Sequence, residues 1–365
     1  MDTISFARGV PTPEAIPVDE LADCARAAVE RDGTTVLSYG PVGGYQPLRE
    51  WIAERHGVDA ARVLITNGSL QGIAFLADRF AGQRVVVERP TYDRPLKLLA
   101  ARGIEVSPVA MDDDGLELEP LEHALDEAPK PALLYTIPTF QNPSGRTLST
   151  ERRRRLVQLA QARDVLVLED DPYGLVRYEG TPPPTLFELD GGAHVIYSSS
   201  FSKTVAPGLR VGYFVLPPRL VRAVEAVAVQ TSITPALLGQ ATVAEFVRRG
   251  SFEPNLARVC ELLRARRDAM LAALEREFGD RARWSRPNGG YFVWLDLPRG
   301  VHAGELLPRA EAAGVTFVEG SAFFPDGRGG ENAARLAYSF VGVDEIDDGI
   351  TKLAELALDA VASPV

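Results

Sequence analysis

Three kinds of residue in this chain stand where they could do chemistry, each at the end of an apolar run. Lys203 comes after Val195-Ile196-Tyr197 and the polar stretch Ser198-Ser199-Ser200-Phe201-Ser202. A lysine there, desolvated and near another cation, gives up its proton and becomes a nucleophile toward an aldehyde. Asp170 lies just past Val165-Leu166-Val167-Leu168. In a low-dielectric site a carboxylate pairs with a ring N–H⁺. At about 4 Å and an effective dielectric of about 20 the pair gains roughly 4 kcal/mol, enough to keep the ring protonated and electron-withdrawing. Gly68-Ser69-Leu70 follows Val63-Leu64-Ile65 at the start of a helical pattern. Backbone N–H groups at such a turn bind phosphate, and the hydroxyls of Ser200 and Ser202 and the guanidinium of Arg210 would reinforce them. Each feature also has a plainer use. Glycine-serine turns start helices, an Asp before Pro172 turns the chain, and a loop lysine points into solvent.

The elements that must position these groups alternate. Short apolar runs at 63–65, 85–87, 133–135, 165–168 and 195–197 predict buried strands. Amphipathic stretches at 69–80, 93–102, 117–127 and 150–163 predict helices between them, the last capped by Ser149 or Thr150. Strand-helix alternation with wholly apolar strands predicts a mainly parallel sheet covered on both faces. Ligands bind such sheets at the carboxyl ends of the strands, where all these groups fall. Past residue 250 the pattern changes. Residues 252–278 predict one long helix, followed by a Pro287-Asn288-Gly289-Gly290 turn, a strand at 291–295, a helix near 303–313, and strands at 315–318 and 335–340. That mixture predicts a second, smaller α+β unit.

Composition bounds the function classes. With 365 residues, 45% of them hydrophobic, the chain can bury a core of two units. A net charge of −11 argues against a nucleic-acid surface. The one basic block, Arg152 to Arg155, is expected to be an exposed helix face. Cys24 and Cys260 lie far apart without metal-ligand spacing, so neither a disulfide framework nor a metal site is expected, and a reducing compartment fits. No apolar leader follows a basic patch and no apolar run reaches membrane length, so a cytoplasmic location is expected. There are four lysines, Lys97, Lys130, Lys203 and Lys352.

The segment Ser200-Phe201-Ser202-Lys203-Thr204-Val205-Ala206-Pro207-Gly208-Leu209-Arg210-Val211-Gly212 resembles the Schiff-base signature of fold type I, class I/II aminotransferases. Within them the likeness is to the branch with 2-aminoadipate and kynurenine aminotransferases. Ile4 to Pro11, Pro138 to Gly145 and Asp170-Asp171-Pro172-Tyr173 match the same branch, and the likeness runs along nearly the whole chain. It implies an α/β fold with a mainly parallel seven-stranded sheet in a large domain (36–250). An N-terminal segment (1–35) would join a small domain formed with the interdomain helix (251–365).

The resemblance further implies pyridoxal 5′-phosphate as cofactor, and a reaction that moves the amino group of an α-amino acid to a 2-oxo acid. Lys203 would bind the cofactor and shuttle the proton. Asp170 would face the ring nitrogen, Asn142 and Tyr173 the phenolic oxygen, and Tyr92 the ring face. Gly68, Ser69, Leu70, Ser200, Ser202 and Arg210 would hold the phosphate. Arg335 would grip the substrate α-carboxylate as a bidentate fork, beside Asn142, Gly9 and Arg8. Tyr39 would reach the phosphate of a neighbouring subunit, which implies a homodimer with shared sites. Asp171 is expected to tolerate change better than Asp170.

One departure stands out. The branch usually carries a helical arm ahead of the Ile4-Ser5-Phe6 segment, which lids the pocket and helps select the side chain. The sequence starts at that segment, so substrate preference is not expected to carry over. Arg8 would then face the substrate or form a surface ion pair. Elimination, replacement or cyclisation on an amino acid uses the same cofactor and lysine and stays open. A transcription regulator with a sensor of this type is disfavoured, because no DNA-binding segment is seen ahead of Ile4. A scaffold without catalysis is disfavoured because Lys203, Asp170 and Arg335 are all present.

Overall fold

The computed structural model describes residues 3–362; residues 1–2 and 363–365 lie outside the described residues. The chain opens with β1 (Ile4–Ser5), α1 (Val18–Val36) and α2 (Gln46–His56). The alternating part then runs β2 (Val63–Thr66), α3 (Ser69–Arg79), β3 (Arg84–Arg89), α4 (Asp93–Ala100), β4 (Glu105–Asp112), β5 (Gly115–Leu116) and α5 (Leu118–Asp126). It continues through β6 (Leu133–Thr136), α6 (Thr150–Arg163), β7 (Leu166–Asp170), α7 (Leu186–Asp190), β8 (Val195–Ser200) and β9 (Gly212–Val215). Next come α8 (Val221–Ser232), α9 (Leu237–Arg248) and α10 (Phe252–Phe278). The remainder is β10 (Arg283–Trp284), β11 (Phe292–Asp296), α11 (Ala303–Ala312), β12 (Val315–Thr316), β13 (Val318–Glu319), β14 (Ala333–Ala337) and α12 (Val343–Ala362).

The large sheet has the order β2-β9-β8-β7-β6-β3-β4-β5. It holds eight strands rather than seven, the extra one being the two-residue β5 that folds back antiparallel on β4. Strands β8, β7, β6, β3 and β4 are parallel, whereas β9 runs antiparallel to both neighbours. Alternate residues of each strand enter opposite cores. Val86, Leu134, Val167 and Val195 pack on one face, and Val85, Val87, Tyr135, Leu168 and Ile196 on the other. Helix α6 starts where expected, with the Ser149 side chain accepting from Arg152 N.

The second body holds a four-stranded antiparallel sheet, β10-β11-β14-β13, and the parallel pair β1-β12. Helix α10 has 27 residues, about 40 Å at 1.5 Å per residue. Its first residue, Phe252, packs in the core of the large sheet, and Val259 to Phe278 pack in the second core. The N-terminal segment divides between the bodies. Strand β1 pairs with β12, while α1 lies against α9.

The basic block is only partly solvated. Arg153 is 1% exposed and donates to Leu148 O, Pro138 O and Thr139 Oγ1, with Glu169 3.7 Å away. The exposed-face expectation fails at this residue because it shares a helix face with the buried Leu156, Val157 and Ala160. No helix among the described residues is long and apolar enough to cross a membrane.

Candidate active site

Gly212 is the geometric hinge of the site. In the sheet register it stands opposite Thr66 on one side and Ser200 on the other. The exits of β2 and β8 therefore lie side by side, although well over a hundred residues separate them. A Cβ on Gly212 would fall 2.3 Å from Ser69 N, so only glycine lets the two turns approach. Gly68 caps α3 at φ 82°, where a Cβ would meet Arg210 Nη2 at 2.1 Å. The first turn of α3, the Ser200 and Ser202 hydroxyls (2.8 Å apart) and the Arg210 guanidinium thus converge on one spot. Arg210 donates to Asn67 O at 3.1 Å and has no carboxylate partner among the described residues. Free N–H groups at a helix start beside an unpaired guanidinium fit a phosphate dianion.

Asp170 closes β7 and is buried. Its oxygens accept from Tyr135 Oη at 3.0 Å and Ser198 Oγ at 3.1 Å. Burial pushes its carboxyl up to about 6, against the pull of those two donors. A cation brought to it, such as a ring N–H⁺, would offset that desolvation cost. Asp171 is buried as well. It accepts from Tyr197 Oη and from Gly174 N, both at 2.9 Å, closing the turn that presents Tyr173. The buried Tyr173 ring lies 5.4 Å from the Tyr291 ring, and Tyr291 Oη donates to Lys203 O at 3.1 Å.

Lys203 Nζ donates to Gly9 O at 2.7 Å and lies 5.0 Å from the Tyr291 ring centre. Burial first, then the Arg335 and Arg210 charges, lower its ammonium to about 8. Near that pH half the amines are neutral and nucleophilic. Arg335 sits on β14, 8% exposed, between the Phe292 and Phe323 rings at 4.4 and 5.0 Å. It donates to Asn142 Oδ1 at 3.0 Å and to Ala7 O at 2.8 Å, and its buried Nε has no partner among the described residues. Burial brings it down to about 10. A desolvated guanidinium with no carboxylate of its own in the described residues is prepared for a ligand carboxylate.

One cavity of about 470 Å³ gathers all the site residues expected from the sequence except Tyr39. It includes Leu70, Tyr92, Arg8 and Gly9. Arg8 stacks on the Phe340 ring at 3.8 Å, and a Cβ on Gly9 would strike the Phe292 ring at 2.6 Å. Tyr39 lies outside, 83% exposed. Tyr135, Ser198, Glu88, Gln141, Tyr291 and Phe292 also hold the site residues in place, and no role for them is expected from the sequence. The signal available for Glu88 was an ionisable residue directly continuing a buried run, Val85-Val86-Val87.

The chain is similar to known proteins along most of its length. A family model, Aminotransferase class I and II, matches residues 2–320. Aromatic-amino-acid aminotransferase 1 of Thermococcus litoralis is 36% identical, over 97% of this chain and 88% of its own. The 2-aminoadipate transaminase of Thermus thermophilus is 38% identical, over 96% and 89%. The kynurenine aminotransferase of Pyrococcus horikoshii, crystallised with PMP, superposes with a TM-score of 0.95 at 36% identity, over 100% of this chain and 92% of that one. The fold is thus that of a fold type I pyridoxal-phosphate enzyme. This chain belongs to the class I and II aminotransferases, and it transfers amino groups between amino acids and 2-oxo acids.

Proposed function

We propose that the cavity between β7, β8, β14 and residues 7–10 is the transamination site, with the following division of labour. Pyridoxal phosphate, when bound, supplies an electron-withdrawing ring and the carbonyl carbon that takes up the amino group. The α3 turn at Gly68, Ser69 and Leu70 binds its phosphate together with Ser200, Ser202 and Arg210. Asp170 holds the proton on the ring nitrogen. Asn142 and Tyr173 donate to the phenolic oxygen, and Tyr92 covers the ring. Lys203 holds the cofactor between turnovers, and its freed amine takes the proton from the substrate α-carbon. Arg335 orients the substrate by its α-carboxylate, with Gly9 and Arg8 toward the side chain.

The observation that carries this division is the pairing of the two cations. Lys203 Nζ and Arg335 Nη2 donate to Gly9 O and Ala7 O, carbonyls two residues apart. A substrate carboxylate can take the Arg335 contact from Ala7 O, and the Lys203 amine, once neutral, can then act as a base on the adjoining carbon. The test is a pair of half-reactions on cofactor-loaded protein. An amino acid should bleach the visible absorption of the bound cofactor, and a 2-oxo acid should restore it. Release of ammonia with no bleaching would refute it.

We also propose a homodimer in which Tyr39 completes the partner's phosphate site. Its support is an exposed apolar group on one side of the large body. Leu37 and Tyr39 are 66% and 83% exposed, and Gly40 lies against Leu237, next to the exposed Leu238. Residues 36–250 are proposed as the large cofactor-binding domain and 251–365 as the interdomain helix and small domain, which the 1–35 segment joins through β1. A cytoplasmic location is proposed from the two free thiols, Cys24 and Cys260.

A further inference from the structure

Glu88 is the last residue but one of β3, 1% exposed, and among the described residues it has no cationic partner. Burying a carboxylate without a counter-charge is costly, so its hydrogen bonds show what it holds. Thr136 Oγ1 donates to it, Ile137 N donates at 3.1 Å, and Gln141 Nε2 donates at 3.0 Å. The side-chain amide of Gln141 is then fully committed. Its Nε2 also donates to Pro90 O at 2.8 Å, and its Oε1 accepts from Ser144 N at 2.9 Å. Its backbone closes the same turn, through Gln141 N to Arg146 O at 2.8 Å and Gly145 N to Gln141 O at 2.6 Å.

The two ends of this bracket are site residues. Pro90 lies two residues before Tyr92. Asn142 follows Gln141, and its Oδ1 accepts from Arg335. That contact leaves the Asn142 Nδ2 as the donor end. A path therefore runs from the buried Glu88 through Gln141 to Asn142 and Arg335, with a branch to the Tyr92 loop.

We propose that Glu88 is a positioning residue for amino transfer: through Gln141 it fixes the Asn142 turn and the Tyr92 loop relative to each other. This rests on the role given above to Asn142. Touching neither substrate nor cofactor, Glu88 acts by keeping the Gln141 amide oriented with its two N–H groups toward Glu88 and Pro90. A glutamine at 88 keeps the volume but offers one acceptor where the carboxylate offers two. Gln141 then loses a partner and the Asn142 turn loosens.

The experiment uses cofactor-loaded protein and reads the pH midpoint of the bound cofactor's visible absorption. A donor lost from an anionic phenolic oxygen favours the protonated form, so the midpoint rises. Asn142→Ala is expected to raise it by about half a unit to one unit, the worth of one hydrogen bond. Gln141→Ala, which removes the bracket and leaves the carboxyl of Glu88, is expected to raise it by part of that amount, and to add nothing in the Asn142→Ala background. Glu88→Gln also removes a carboxyl that burial pushes up to about 7, and losing its negative charge by itself lowers the midpoint. Its shift is therefore compared with its shift in the Asn142→Ala background, where only the charge effect remains, and the difference should be upward. KM for the amino acid should rise about three- to tenfold in both variants as Arg335 loses its rigid neighbour. No upward difference in either variant, with or without lower thermal stability, overturns the proposal. A midpoint unmoved in Asn142→Ala itself overturns the Asn142 role and this inference together.

Discussion

Replacing Asp170 with asparagine should stabilise the cofactor-free protein and weaken the cofactor-bound one. The folded protein holds this carboxyl near 6 instead of 3.8, chiefly through burial. The folded state therefore binds the proton more tightly than the unfolded state, and ionising the group costs stability. The cost is absent below about pH 3.8, grows between about 4 and 6, and is complete above. Two units at 1.36 kcal/mol each amount to about 3 kcal/mol. The amide of the Asp170→Asn variant would escape that cost while keeping both contacts, because its oxygen accepts one hydroxyl and the other hydroxyl can turn to accept from its nitrogen. Urea unfolding of cofactor-free protein at pH 4, 6 and 8 should show the variant gaining on wild type up to pH 6 and holding a lead of up to about 3 kcal/mol above it. Adding cofactor should reverse the order, since only wild type has a carboxylate to meet the ring N–H⁺. A variant less stable than wild type at pH 8 without cofactor would refute this account. Equal stabilisation of both proteins by the cofactor would show that Asp170 does not face the ring.

Three further outcomes are expected. Borohydride reduction followed by peptide mapping should find the cofactor on Lys203, and capture of cofactor by the empty protein should speed up as pH rises through about 8, where the amine becomes neutral; finding it on Lys97, Lys130 or Lys352 would refute the assignment. Arg335→Lys should weaken both half-reactions together because both use the same carboxylate fork, and Arg335→Ala should cost roughly 30- to 4000-fold in kcat/KM; a loss confined to one half-reaction refutes that. Mixing inactive Lys203→Ala subunits with inactive Tyr39→Phe subunits should recover activity if Tyr39 acts across a dimer; no recovery after demonstrated subunit exchange excludes shared sites.

The residues with distinctive chemistry were readable in the sequence because each belongs to a contiguous segment whose types a ligand dictates. Lys203 with its serines, Asn142 in its turn and Gly68-Ser69 at a helix start all reached the same cavity. The helices at 69–80, 93–102, 117–127 and 150–163 appeared within two residues of their expected bounds, because apolar periodicity carries that signal. What escaped was set by pairing between distant strands. Nothing local marks Tyr135 as the donor to Asp170, since that contact exists only once β6 and β7 lie in register. Strand β9 escaped altogether, because Gly212-Tyr213-Phe214-Val215 is a four-residue run directly after the lysine segment with no turn of its own to mark it. The burial of Arg153 was legible and overlooked: it lies three residues before Leu156 and four before Val157, on the apolar side of its helix.

The placing of β9 has a consequence for biosynthesis. Strand β2 has β9 as its sheet neighbour, so residues 63–66 wait for residues 212–215 to leave the ribosome before they join the sheet. The two halves of the phosphate cradle, one made early and the other late, meet only at that moment. The cofactor therefore cannot act as a template for the first half of the chain. It can add its binding energy only after the β3-to-β8 layer has formed and the last strand has been inserted between β2 and β8. Such non-local closure makes folding slow, and until then the apolar edge of β8 is exposed to association with other chains.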